Sequence, residues 1–256
     1  MIRDATDPAE VRHLSYDTLG STNAEALALA RAGERGPVWI TAKTQSAGRG
    51  RRGNDWASPP GNLYATLLLS EPAPPPRAAQ LSFVAALAVR DAIATCAPDL
   101  ASRLALKWPN DVLIGTAKTA GLLIEAENAP VFAVAIGIGV NCVSHPDGTP
   151  YPATDLANEG ARVTAQALFA ALAAAMRTRL AQWQGGADFP AIRRHWLKHA
   201  AGLGEFIRVR LPERELHGRF MGLDENGRLL VQPETGPHLK ITAGEVFGFG
   251  VPKGAG

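Results

Sequence analysis

Thr44-Gln45-Ser46-Ala47-Gly48-Arg49-Gly50-Arg51-Arg52-Gly53-Asn54-Asp55-Trp56 places three guanidinium groups among three glycines, with no apolar residue between Ala47 and Trp56. Such a stretch has little to bury and much backbone freedom, which predicts a mobile loop in isolation. Arginine forks and glycine amides suit phosphate or carboxylate oxygens, so an anion would order it. The glycine spacing fits G-x-G-x-x-G, but that fingerprint must open a helix whose N-terminus takes a pyrophosphate. Here Ser58-Pro59-Pro60-Gly61 follows within a few residues. A solvated linker or an arginine-glycine patch for RNA is a second reading. Trp56 and the flanking apolar runs favour a loop pinned at both ends, closing over a charged ligand.

Outward from this loop, Val38 to Ala42 is a short apolar run of strand type, and Asn62 to Leu69 is a second strand. Upstream, Thr22-Asn23-Ala24-Glu25 matches a capping box and opens a helix that ends near Gly33. Downstream, Pro72-Ala73-Pro74-Pro75-Pro76 leads into a helix from about Arg77 to Cys96, with Leu81, Val84, Ala85, Ala88 and Ile93 near one face. Arg103 to Lys107 reads as a strand stopped by Pro109. Asp111 to Ile114 and Lys118 to Glu127 read as a hairpin about Gly115-Thr116, followed by a buried strand from Val131 to Cys142. A loop rich in Pro, Asp and Gly spans 143–160, and two helices follow near 164–184 and 188–199. After Gly204 the pattern changes to short strands: Phe206–Leu211, Leu216–Leu223, Leu229–Pro233, Leu239–Ile241 and Val246–Phe249. Asp224-Glu225-Asn226-Gly227 is a strong hairpin turn. These strands predict a small all-β barrel of SH3 size over 204–252.

The chain has 256 residues, 46% hydrophobic, with a net charge of +2. That supports a packed core and gives no global basic field of the kind nucleic-acid binders carry. Cys96 and Cys142 lie far apart without C-x-x-C spacing and read as reduced thiols of a cytoplasmic protein. Met1-Ile2-Arg3-Asp4 lacks the apolar core of a signal peptide. The Ala-rich stretches carry Arg90, Asp91, Arg177 and Arg179, which argues against membrane spans. Gly115-Thr116-Ala117-Lys118-Thr119 lacks the Gly-Lys of a Walker A motif, and H-E-x-x-H and G-x-S-x-G do not occur.

Three further motifs carry chemistry. Lys107-Trp108-Pro109-Asn110-Asp111 packs a cation, a ring, a rigid turn, an amide and a carboxylate together, so Lys107 can meet a phosphate and Asp111 a hydrated magnesium. A plain surface β-turn fits the same residues. Lys118, ahead of Ala120-Gly121-Leu122-Leu123-Ile124, is either an electrostatic stabiliser or an edge lysine snorkelling to solvent, and Gly121 leaves room for a ligand. Gly137-Ile138-Gly139-Val140-Asn141 ends an apolar strand with two glycines and an amide. Close approach of a ligand or a β-bulge explains the glycines, and Asn141 could bind a base or ribose. Ser21, Thr22 and Asn23 read as helix caps, ligand contacts or both.

Together, Ser21-Thr22-Asn23, Gln45 with Gly48 to Gly53 and Trp56, Gly61-Asn62-Leu63-Tyr64, Lys107 to Asp111, Lys118 to Gly121 and Gly137 to Asn141 form an ordered set. Over nearly the whole chain this set closely resembles the biotin–protein ligases. The resemblance implies an α+β fold with a mixed central sheet flanked by helices, shared with lipoate ligases. It also implies a catalytic domain over 1–202 and an SH3-like domain over 203–256. The implied reaction has two steps. Biotin's carboxylate attacks the ATP α-phosphate to give biotinyl-5′-AMP, and a lysine of a biotin carboxyl carrier domain then attacks the anhydride.

By match to the family's motif, Ser21, Thr22, Asn23 and Gln45 would hold the ureido ring and neighbouring atoms, with Gly121 beside the biotin. Arg49, Gly50 and Arg51 belong to the biotin and adenylate loop, and Lys118 would touch the carboxylate. Arg51 and Lys118 are the catalytic candidates. Trp56 would stack on adenine and Asn141 would lie near the nucleotide. Lys107, Asn110 and Asp111 would serve the triphosphate, with Asp111 also meeting the Mg2+ of Mg-ATP. Some relatives carry an N-terminal winged helix; the short stretch before Thr22 leaves no room for one, so specific DNA binding is not expected. Asn54-Asp55 stands where relatives commonly add a basic residue. Members dimerise through the central sheet or stay monomeric, so a homodimer remains open.

Overall fold

The computed structural model describes residues 11–128, 130–211 and 213–249. Chain order is β1 (Arg12–Leu19), α1 (Thr22–Arg31), β2 (Val38–Gln45), β3 (Leu63–Ser70), α2 (Leu81–Cys96), β4 (Leu104–Lys107), β5 (Asp111–Ile114), β6 (Ala117–Asn128) and β7 (Phe132–Val140). Then come α3 (Ala165–Trp183), α4 (Phe189–Lys198), β8 (Phe206–Arg210), β9 (Glu215–Leu223), β10 (Leu229–Gln232), β11 (Leu239–Ile241) and β12 (Glu245–Phe247). The first seven strands form one sheet in the order β1-β2-β3-β7-β6-β5-β4. Only β1–β2 is parallel, so the sheet is mixed.

β1 has no counterpart among the predicted elements. Its sequence, Arg-His-Leu-Ser-Tyr-Asp-Thr-Leu, is polar at most positions because it is an edge strand with largely exposed side chains. From β1, Leu14, Tyr16 and Leu19 rest on the cluster that α1 buries against the sheet, made of Ala26, Ala30, Val38, Ile40, Leu68, Ala133 and Ala135. The predicted capping box is also displaced by one residue. Ser21, not Thr22, is the N-cap and accepts from the Ala24 amide at 3.4 Å, while Glu25 accepts from the Tyr16 hydroxyl at 3.1 Å.

The opposite face of the sheet is covered by α2 and α3, and α4 packs against both of these helices and against β9. α2 is apolar almost all round because it is the central helix, with Leu81, Val84, Ala85, Leu87, Ala88 and Ile93 fully buried. Each large aliphatic side chain so buried contributes about 1.5–3 kcal/mol. Residues Pro75–Cys96 are long and apolar enough to cross a membrane, yet most of that length is buried inside the fold. This helix is a core helix.

β8 to β12 form a second, antiparallel sheet in the order β11-β10-β9-β8-β12. The hairpin turn expected at Asp224–Gly227 is present, with the Asp224 carboxylate accepting from the amides of Asn226 and Arg228 at 2.9 Å each. Gly227 has φ +79°, and a Cβ there would lie 2.6 Å from the Phe83 ring of α2. Trp108 of the β4–β5 turn donates its indole N–H to the Gly227 carbonyl at 3.1 Å. The second sheet is thus seated against both the core helix and the turn that carries Asn110 and Asp111.

Candidate active site

The N-terminus of α1 builds one end of the site. Ser21, Thr22 and Asn23 are all buried, so their polar atoms need partners. Gln45, at the end of β2, accepts from the Thr22 amide at 2.8 Å and its hydroxyl at 3.1 Å through Oε1. The fully buried Thr66 hydroxyl of β3 lies 2.7 Å from Asn23 Oδ1 and 2.8 Å from Thr22 Oγ1. Asn23 Nδ2 donates to Glu125 Oε2 at 2.8 Å and to the Leu123 carbonyl at 3.3 Å. The Asn23 amide is therefore held on both sides by protein, whereas Ser21 retains its hydroxyl hydrogen and Gln45 Nε2, bonded to Ser58 Oγ at 3.0 Å, retains a second one.

The hairpin β4–β5 builds the other end. Lys107 and Asp111 are register partners across its turn, with Nζ 2.9 Å from Oδ2. Lys118 of β6 closes on the other carboxylate oxygen, Nζ to Oδ1 2.7 Å. Residues 151–154 run beside Lys118, tied by Lys118 N to Pro152 O and Thr154 N to Lys118 O, which delivers the Tyr151 ring to both ammoniums at 5.1 and 5.3 Å. Burial pushes the Asp111 carboxyl up, but Lys118 and Lys107 outweigh it and hold it below its ordinary range. Burial likewise opposes charge on Lys118, yet Asp111, with Tyr151 and Glu245 behind it, keeps its ammonium above the ordinary lysine value. The half-buried Arg51 is lowered by burial and then by Arg52, against the pull of Asp111 and Glu245. Arg51 donates to Asn110 Oδ1 at 3.3 Å, and Asn110 Nδ2 donates to the Leu122 carbonyl at 2.6 Å.

Between these ends lies the Arg-Gly loop, and it has more internal structure than a free ribbon. The backbones of Arg49 and Asp55 pair as an isolated antiparallel β-bridge, the Gly50 amide donates to Asn54 O at 2.7 Å, and the Trp56 amide donates to Gly48 O at 2.9 Å. A short 3-10 turn over Arg51–Gly53, with Arg52 at φ 58°, makes the tip. No helix follows the glycines, so the dinucleotide reading fails on geometry as well as sequence. Arg49 reaches across to Glu125, Nη2 to Oε2 2.8 Å.

The glycines of β6 and β7 turn out to make room for protein groups. A Cβ at Gly139 would lie 2.5 Å from the Trp56 indole, at Gly121 2.7 Å from the same ring, and at Gly137 2.4 Å from Asn23 Oδ1. The bulge alternative falls, because β6 and β7 keep one register from Ala120 to Asn128. The indole lies flat on this floor with Lys118 Nζ 5.4 Å from its centre, and its N–H is buried without a partner. With the indole there, the cleft is only about 90 Å³, and Trp56 also lines a neighbouring cavity of about 500 Å³.

All the site residues expected from sequence line this cleft except Asn141. The Asn141 side chain donates to the Thr154 carbonyl at 3.1 Å, anchors the 143–160 loop and faces the neighbouring cavity. Thr66, Glu125, Tyr151 and Glu245 belong to the site and were not expected. Thr66 is the one polar residue in the apolar run Leu63 to Leu69, which was a readable signal. Glu125, an acid in an apolar strand, was another, whereas Tyr151 and Glu245 come from segments with no motif. Asp111 is placed as a counter-ion rather than a metal ligand: its oxygens lie 2.9 and 2.7 Å from the ammonium groups of Lys107 and Lys118, although Oδ1 accepts no aligned hydrogen bond. Among the described residues no cluster of His, Cys, Asp and Glu could hold an ion either.

Residues 21–141 match the Biotin/lipoate A/B protein ligase family, and residues 202–247 match the Biotin protein ligase C terminal domain. The biotin–[acetyl-CoA-carboxylase] ligase of Paracoccus denitrificans is 45% identical over 239 residues, covering 89% of this chain and 96% of that protein. The chain belongs to the biotin–protein ligase family. Among other members, the bifunctional ligase/repressor BirA of Bacillus subtilis is 32% identical, over 88% of this ligase and 71% of the relative. The biotin protein ligase of Aquifex aeolicus in complex with biotin and ATP superposes with a TM-score of 0.79 at 26% identity, covering 92% of this chain and 97% of that one. The Leishmania major biotin protein ligase in complex with biotinyl-5-AMP gives 0.66 at 25% identity, over 91% and 99% of the two chains. The α+β architecture with a mixed central sheet and a small C-terminal β-sheet is that of these ligases.

Proposed function

We propose that the cleft between the Arg-Gly loop and the sheet is where this biotin–protein ligase joins biotin to AMP, and then passes it to a lysine of a biotin carboxyl carrier domain. A biotin carboxylate oxygen attacks the α-phosphorus of ATP and pyrophosphate leaves. The lysine amine then attacks the biotinyl carbonyl, and AMP departs with the anhydride oxygen. Both steps gather negative charge on the carboxylate and phosphoryl oxygens, and prearranged cations lower such barriers. The observation that carries this reading is the cluster of Lys107, Lys118 and Arg51 around the single carboxylate of Asp111. These cations are positioned before any substrate arrives, and the cluster is net positive.

On this reading the free donors of Ser21 and Gln45 face the ureido ring, Thr22 and Asn23 shape its pocket, and Lys118 meets the carboxylate. Lys107, Asn110, Arg49 and Arg51 receive the phosphates, and magnesium enters with ATP as part of the substrate. Trp56 leaves the glycine floor to stack on adenine, because 90 Å³ is well below the roughly 300–1,000 Å³ of small-molecule sites. The loop then shields the anhydride from water until the acceptor lysine arrives.

The test is incubation with biotin, Mg-ATP and an apo carrier domain, followed by the mass of the carrier. Gain of one biotinyl group, lost when the carrier's acceptor lysine is changed to arginine, is the expected result. An unmodified carrier, with no pyrophosphate released from biotin and ATP, would remove the proposal.

A further inference from the structure

Glu125 is the one carboxylate of β6 that serves two ends of the site at once. Its Oε2 accepts from Asn23 Nδ2 and from Arg49 Nη2, each at 2.8 Å. Asn23 is buried and fixed from behind by Thr66, while Arg49 is half-exposed on the loop. Thr66, Asn23, Glu125 and Arg49 therefore form one relay from the helix N-terminus to the loop. Gly137 is a glycine because the Asn23 amide of this relay lies where its Cβ would be.

We propose that Glu125 is a positioning residue that couples the head-group end of the biotin pocket to closure of the Arg-Gly loop. The proposal rests on the reading of this cleft as the biotin and adenylate site. Asn23, held by Thr66 and the Leu123 carbonyl at the pocket wall, fixes the aim of Oε2, and Oε2 sets where Arg49 stands. In return, Arg49 on Glu125 holds the loop down over whatever lies beneath it. The Asn23 bond is the shielded arm of the relay and the Arg49 pair its exposed arm, so salt screens the second more than the first.

Glu125→Gln keeps the shape and still offers an oxygen to Asn23, but removes the charge that holds Arg49. Three readouts test it: biotin-dependent ATP–pyrophosphate exchange, the dissociation rate of preformed biotinyl-5′-AMP, and the salt dependence of that rate. Adenylate dissociation is expected to rise about fivefold, equivalent to about 1 kcal/mol, the upper end for a partly exposed pair. A rise with salt is expected for the unmodified protein and is expected to disappear in the variant. In a double-mutant cycle, the combined effect of Arg49→Gln and Glu125→Gln is expected to fall short of the sum of the two single effects, the remainder being the phosphate contact of Arg49. Glu125→Asp, which keeps the charge, provides a second variant that should restore the salt dependence. Unchanged dissociation in a folded variant, or additive effects of the two substitutions, would overturn the coupling. Failure of the unmodified protein to exchange pyrophosphate would instead overturn the reading of the site, so the two failures are distinguishable.

Discussion

Asp111→Asn removes the only carboxylate that touches two buried ammonium groups. The side chains of Lys107, Asp111 and Lys118 are 7, 8 and 14% exposed, so water cannot take over the lost pairing. Breaking a buried ion pair by deleting one partner costs about 3–5 kcal/mol, because an unpaired buried charge is left behind. Here two ammonium groups are left, facing the Tyr151 ring and, for Lys118, the Trp56 ring as well. For a chain of this size each kcal/mol moves the midpoint by about 2–4 °C, so thermal unfolding should drop by about 6–20 °C. Pyrophosphate should stabilise the variant more than the unmodified protein, since an anion replaces the missing charge. Calorimetry with and without magnesium is the assay, because the carboxylate works here as a counter-ion to lysine. A loss below about 1 kcal/mol, or a loss that vanishes once magnesium is chelated, would refute the reasoning.

The remaining predictions concern the loop, the glycine floor and pH. Gly139→Ala puts a Cβ 2.5 Å from the Trp56 indole, so the ring must lift; the KM for ATP should change about tenfold, within the 1–3 kcal/mol typical of overpacking, and an unchanged KM would show that the ring does not rest there. Arg51→Ala should release adenylate at least about tenfold faster, the loss of a hydrogen bond to a charged group, and a blot for biotin should then show bystander lysines labelled; intact target selectivity would contradict this. Asp111 sits below its ordinary value of 3.8, so its contribution to stability is present above that pH and is lost as pH falls through its lower folded value. Lys118 sits above 10.5, so its contribution is complete below that pH and lost as pH rises through its higher folded value. The stability gap between the unmodified protein and Asp111→Asn should therefore be flat between about pH 5 and 9, as urea titrations at several pH values would reveal.

The sequence showed clearly those parts whose signal is local. Three arginines among three glycines mark a ligand loop by composition, and Lys107 to Asp111 mark a turn rich in chemistry. Alternating and apolar runs marked β2 to β7 and the five C-terminal strands, because each buries at least one face. β1 was hidden for the opposite reason, since an edge strand exposes most of its side chains and is defined by a distant parallel partner. The capping box misled by one residue because two adjacent hydroxyl residues, Ser21 and Thr22, both suit the cap. The glycines of β7 were read as space for a ligand, but that space is taken by Trp56 and Asn23, contacts that exist only once the chain has folded. Glu245 and Tyr151 were missed for the same reason. An acid in a strand and a tyrosine in a proline-rich loop acquire meaning from what faces them.

On the proposed reading, charge at the Asp111 end of the cleft drives formation of the adenylate. Exchange of labelled pyrophosphate into ATP measures that step alone, without a carrier. Exchange that requires biotin, and that falls by at least about 10²-fold when Lys118→Met removes one preorganised cation, is the predicted result. Exchange that is absent in the unmodified protein, or undiminished in Lys118→Met, would contradict it.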